Sequence, residues 1–121
     1  TAAQPGGEVL SPADDITVEH ILPLKGGASW ERAFPNRAER DHYAHLIGNW
    51  VLLTRRLNQK AADKPFDQKK KIYFAAADGP VRALTQDLVG TAGWTADQVS
   101  ARHERLVRAV LADFAVATRV T

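Results

Sequence analysis

Only two stretches of this chain have the composition of a β-strand, and both are short. Residues 16–22 (ITVEHIL) are rich in β-branched side chains and close at Pro23; residues 49–54 (NWVLLT) are apolar, unbroken and too short for a good helix. Everything after Arg55 has helical character, so the chain is limited to one small sheet under an excess of helix: α+β, mostly helical. Its 121 residues suffice for one compact domain, and 45% hydrophobic with 25% charged residues allows a packed core and excludes wholesale disorder. The absence of cysteine removes disulfides, thiolate zinc sites and cysteine nucleophiles together. The apolar runs are short and interrupted by charge, so no membrane span and no secretory leader is expected. Methionine is also absent, even at position 1, which points to a piece of a longer protein. Residues 1–13, small and rich in Pro and Gly, read as a linker from an upstream domain, with the folded domain over 14–121.

Lys25-Gly26-Gly27 turns the chain after the first strand. Asn36 and Glu39 form a capping box that opens a helix carrying Tyr43, Leu46 and Ile47 and stopping at Gly48. A short helix is expected over 55–62, and another from Pro65, which suits a first helical turn. A third opens at Pro80 with Val81, Leu84 and Leu88 at helical spacing. A fourth begins at Thr95, boxed with Gln98, and carries Val99, Leu106, Val110 and Phe114 on one stripe.

Charge is unevenly spread. Formal net charge is only +2, yet residues 55–71 hold Arg55, Arg56, Lys60, Lys64, Lys69, Lys70 and Lys71 against Asp63 and Asp67. A basic segment on a slightly acidic body indicates an anionic partner; a merely solvated helix face is the plainer alternative.

The first strand sets Glu19 beside His20 just before a proline turn. Asn49 follows at the head of the second strand, and Asn58 lies within the basic helix. Pairing the strands and folding the helix back across them brings His20, Asn49 and Asn58 together, next to Arg55, Arg56, Lys60 and Lys64. An imidazole, hard oxygen ligands and cations suit phosphodiester hydrolysis: the imidazole takes a proton from water, a metal polarises the phosphate, and the cations bind the backbone.

Glu19-His20-Ile21-Leu22-Pro23, then Gly48-Asn49-Trp50-Val51-Leu52-Leu53, then Leu57-Asn58 and Pro65-Phe66 with Lys69, resemble the HNH nuclease family. Within it the chain is most similar to the C-terminal nuclease domain of GmrSD-type modification-dependent restriction proteins, a branch that includes the phosphorothioate-sensing SspE anti-phage proteins. Trp94, Arg102 and Leu106 extend the resemblance over roughly residues 16–114.

The resemblance implies a ββα-metal core (a short two-stranded hairpin and a helix), with an inserted helix in the long connection between the strands and additional C-terminal helices. It implies His20 as general base and Asn49 as the residue holding the hairpin and the loop that carries His20. Asn58 would be a metal ligand through its side-chain oxygen, and Glu19 the acidic metal ligand preceding the histidine. Asparagine where many relatives have a last histidine moves the expected ion to Mg²⁺, or Mn²⁺, away from zinc or nickel. The implied activity is DNA cleavage, as nicking or double-strand cutting, leaving 3′-hydroxyl and 5′-phosphate. Arg55, Arg56, Lys60 and Lys64 would grip DNA. The implied setting is a bacterial cytoplasm in antiviral defence, with an upstream nucleotide-hydrolysing sensor domain in the same chain and no membrane.

Side chains of a regular strand alternate between faces, so Glu19 and His20 face one phosphate only if a bulge or the turn toward Pro23 re-aims one of them. Trp30, Trp50 and Trp94 are expected as core anchors. Of His42 and His45, one is expected to pack and one to lie on the surface, and His103 to be buried. Lys69-Lys70-Lys71 reads as a solvated run or as part of the basic track. Two rival functions stay open: a catalytically silent DNA-binding module, and an RNA-directed nuclease using the same site.

Overall fold

The two strand-like segments pair with each other. In the computed structural model, which describes residues 15–76, 86–88 and 90–120, β1 (Ile16–His20) and β2 (Trp50–Thr54) form a two-stranded antiparallel sheet, in register from Ile16↔Thr54 to His20↔Trp50. Both strands are shorter than the sequence indicates. One more backbone bond joins Ile21 N to Asn49 O at 2.9 Å, and then the Asn49 side chain takes Leu22 N, which ends the ladder. Alternation sends Glu19, Val51 and Leu53 into the core, whereas Ile16 and Val18 are half exposed on the other face.

The connection between the strands holds two helices where one is expected, α1 (Ala28–Ala33) and α2 (Arg37–Ala44). Asn36 caps α2, its Oδ1 accepting from Glu39 N at 3.0 Å. The helix stops at Ala44, short of Gly48, so Leu46 falls beyond it and Ile47–Asn49 make a single 3₁₀ turn. The reason is the close approach of the C-terminal helix α5 (Ala96–Val120). A Cβ on Gly48 would lie 2.4 Å from the backbone nitrogen of His103, and the buried Arg102 draws the carbonyls of Gly48 and Trp50 to its Nη1 at 2.8 and 2.7 Å. Gly48 N, which a continuing helix would give to Ala44 O, donates to His103 Nδ1 at 3.2 Å instead, and Ala44 O accepts from Asn49 Nδ2 at 3.1 Å.

The chain passes directly from β2 into α3 (Arg55–Ala61), capped by Thr54, and after Pro65 into α4 (Phe66–Ala76). The helix expected from Pro80, with Val81 and Leu84, lies outside the described residues, as does the linker 1–13; Leu88 sits in a 3₁₀ turn, Gln86–Leu88. The core gathers Ile21, Leu22, Leu53 and Tyr73, with Trp94 stacked on Phe66 at 5.4 Å. Trp30 is buried as expected, but Trp50 is only half-buried. The α5 stripe is buried at Val99 and runs out into solvent at Val110 and Phe114, 57% and 67% exposed, because the helix runs on past the Ile47–Asn49 turn and α2 that it packs against. Among the described residues no helix is long and apolar enough to cross a membrane.

Candidate active site

Where β1 ends and α3 crosses it, a cleft of about 350 Å³ opens, and Glu19, His20, Asn58 and Asp63 lie on its wall with Pro23 and Lys25. His20 is half-buried, its ring edge-on to Trp50 at 5.9 Å between centroids. Neither of its ring nitrogens hydrogen-bonds to another described residue. Partial burial, helped by the nearby His45 and Lys69, lowers its pKa and favours the neutral imidazole that can accept a proton.

Asn49 is fully buried behind the cleft wall, with every hydrogen-bonding position of its amide used. Oδ1 accepts from Leu22 N at 2.8 Å and Trp94 Nε1 at 2.9 Å; Nδ2 donates to Leu22 O at 3.0 Å and Ala44 O at 3.1 Å. One side chain thus ties together the segment after His20, the end of α2 and the loop before α5. Asn58, half-buried on α3, donates Nδ2 to Thr17 Oγ1 and to Val18 O, both at 2.9 Å, and Thr17 Oγ1 passes its own hydrogen to Leu53 O at 3.0 Å. The amide hydrogens of Asn58 hold the helix to the strand, which leaves Oδ1 for the cleft.

Glu19 is 3% exposed, with Oε2 accepting from Lys69 Nζ at 2.9 Å and from Tyr73 Oη at 2.6 Å; Oε1 takes part in neither bond. Burial raises the carboxyl pKa, opposed by Lys69, and lowers that of the ammonium, opposed by Glu19. Burial also pushes the Tyr73 phenol well above its ordinary value. Lys69 Nζ further donates to the carbonyls of His20 and Ile21, each at 3.0 Å. Three acceptors around one nitrogen need three N–H bonds, which only the ammonium has.

This corrects the reading of residues 69–71 as a solvated run. Lys69 is fully buried, Lys70 is half-buried with Nζ bonded to Thr91 O and 5.5 Å from the Phe66 ring centroid, and only Lys71 is exposed. The signal was present: Phe66, Lys69 and Tyr73 fall on one helical stripe, so Lys69 occupies an inward position. Asp63 was also missed, and no spacing singles it out. Of the cations assigned to DNA, Arg56 and Lys60 are exposed on α3, Arg55 pairs with Asp15 at 3.3 Å, and Lys64 lies beyond the helix, its Nζ on the Lys60 carbonyl. His42 and His45 are both exposed, where one was expected to pack. His103 is half-buried, and its Nδ1 accepts from Gly48 N at 3.2 Å.

No group of three His, Asp or Glu side chains is clustered for a metal among the described residues. The lining residues that carry side-chain oxygens are Glu19, Asn58 and Asp63, two carboxylates and an amide. This donor set suits a hard ion that takes few protein ligands and keeps its waters, not a nitrogen–sulfur zinc site.

Compared with known proteins, residues 3–109 match the family model for the C-terminal domain of GmrSD restriction endonucleases. No curated protein and no solved structure matches the chain.

Proposed function

Because the chain belongs to the family of C-terminal domains of GmrSD restriction endonucleases, we propose that it is a metal-dependent DNA endonuclease of the HNH, ββα-metal type. The observation that carries this reading is the convergence of His20 at the end of β1 and Asn58 on α3 upon one cleft, in a strand–strand–helix order. His20 accepts a proton from a water molecule through a ring nitrogen. The water oxygen forms a bond to phosphorus as the bond from phosphorus to the 3′-oxygen breaks. That oxygen leaves with a proton from solvent, giving 3′-hydroxyl and 5′-phosphate. Asn58 through Oδ1 and Glu19 through Oε1 would hold the ion, Mg²⁺ or Mn²⁺. When bound, it supplies charge neutralisation at the phosphate and stabilises the leaving oxygen. Asn49 keeps the His20 loop in place, and Arg56 and Lys60 on α3, with Arg55 and Lys64 at its two ends, meet the DNA backbone.

In the cell the domain would work in the cytoplasm, in restriction of phage DNA, under an upstream nucleotide-hydrolysing sensor domain. The test is a supercoiled-plasmid assay with Mg²⁺, Mn²⁺, Zn²⁺ or EDTA, run beside labelled RNA. Relaxed or linear plasmid with Mg²⁺ or Mn²⁺ and none with EDTA is the expected result. DNA binding without cleavage at any metal concentration makes the chain a silent binding module. Preferential loss of the RNA makes it an RNA-directed nuclease.

A further inference from the structure

We propose that Lys69 is a positioning residue for His20: its ammonium holds the bend that lets Glu19 and His20 serve one cleft. The proposal rests on the reading of His20 as the base. In an extended strand successive carbonyls point to opposite edges and successive side chains to opposite faces. Yet the consecutive carbonyls of His20 and Ile21 both reach Lys69 Nζ, and Glu19 and His20 both lie on the cleft wall. The chain is therefore bent where β1 ends, at the residue that has to act.

Lys69 supplies what such a bend needs. Turned the same way into the interior, neither carbonyl has a partner on β2: His20 stands at a non-hydrogen-bonded position of the ladder, and Asn49 N goes to Leu46 O instead of Ile21 O. A buried carbonyl without a donor is costly. One ammonium serves both and spends its third hydrogen on Glu19, which Tyr73 secures from the other side. Lys69 is 0% exposed and stands 5.8 Å from the Trp30 ring centroid, so its stem is fixed by packing. Replacing a whole buried ion pair by apolar residues of like volume is often harmless, but removing one partner is not, so loss of Lys69 alone costs stability as well as geometry. A methionine would fill the space and leave both carbonyls unheld.

The test uses the absence of cysteine. In Lys69→Cys the introduced thiol is unique, so alkylation in denaturant followed by refolding gives two proteins that differ in one group. An S-aminoethyl side chain restores the ammonium, and an S-propyl chain of equal length has none. Cleavage at saturating plasmid should be at least tenfold slower for the propyl form than for the aminoethyl form, with DNA affinity equal within twofold. Val99→Ala, a core change elsewhere, should lower the melting temperature without lowering kcat.

Ring proton shifts of His20, which sense the Trp50 ring, read the geometry without any cleavage. They should match wild type in the aminoethyl form and move in the propyl form. Unmoved shifts, or equal kcat in the two forms, overturn the proposal. So does failure of every Lys69 variant to fold, since Lys69 would then serve the fold itself. A wild-type protein that cuts no DNA overturns the nuclease reading, and the ring shifts still decide the role of Lys69.

Discussion

Asn58 on α3 donates an amide hydrogen to the carbonyl of Val18 at 2.9 Å, two residues before His20 on β1. Its second hydrogen goes to Thr17 of the same strand. Helix and strand are thus tied by the side chain whose remaining oxygen is proposed to hold the metal, so the spacing between base and ligand is fixed before any ion arrives. Asn58→Ala should raise the Mn²⁺ dissociation constant, measured by calorimetry, by about tenfold or more. It should also lower stability by about 1–3 kcal/mol for two lost hydrogen bonds. An unchanged Mn²⁺ isotherm would remove Asn58 from the metal shell.

His20→Ala removes a half-buried ring whose one ring neighbour among the described residues is Trp50 and whose nitrogens hydrogen-bond to no other described residue. The melting temperature should shift by no more than a few degrees and DNA affinity should hold, while the cleavage rate should fall by about 10²–10⁴. Nicking close to the wild-type rate would mean that another group takes the proton.

Asn49→Ala should behave in the opposite way, as a folding defect. It orphans Leu22 N and O, Ala44 O and Trp94 Nε1 in the interior. About 3–5 kcal/mol of stability should be lost, read from the urea midpoint. A loss below about 1 kcal/mol would show that water replaces the amide.

The two strands were legible because the first segment is β-branched and the second is an unbroken apolar run too short for a helix, and the caps at Asn36 and Thr95 because capping is a local matter. Local signals failed wherever a distant element decides. Gly48 falls in a 3₁₀ turn because His103, more than fifty residues later, takes the N–H that a helix would have given to Ala44. Lys69 looked like one of three equivalent lysines, and only its place on the stripe with Phe66 and Tyr73 separates it from Lys71. The bend after β1 was legible only as a condition: Glu19 and His20 share a face if a bulge or turn re-aims one of them, and otherwise Glu19 lies elsewhere. The residue that holds it was not, because the contact spans 49 positions.

Ala62 ends α3 with φ 42° and ψ −123°, and Lys64 N closes a turn onto Ala61 O at 3.0 Å. These are the angles of the first central position of a type II′ turn, which favours glycine, and a side chain there costs about 1–3 kcal/mol. Glycine loses about 0.5–1 kcal/mol through its freer unfolded chain. Ala62→Gly should therefore raise stability by about 1 kcal/mol, visible as a higher urea midpoint with an unchanged slope. A lowered midpoint would mean that the turn is not strained.

Arg56 and Lys60 stand four residues apart on the exposed side of α3, the helix whose Asn58 reaches the cleft. If DNA runs along this helix, each contact to a phosphate releases condensed counterions, and log affinity falls with log salt by about 0.9 per contact. Changing both residues to alanine should flatten that slope by about two units and raise the plasmid concentration needed for half-maximal rate. At low salt and saturating DNA the rate should stay near wild type, since neither side chain transfers a proton or holds the metal. Lys71→Ala is the control of choice, because Lys71 alone of the three consecutive lysines is exposed and it belongs to α4. Its slope should change by less than one unit. A slope indifferent to the Arg56 and Lys60 pair but reduced by a full unit at Lys71 would move the DNA path from α3 to α4.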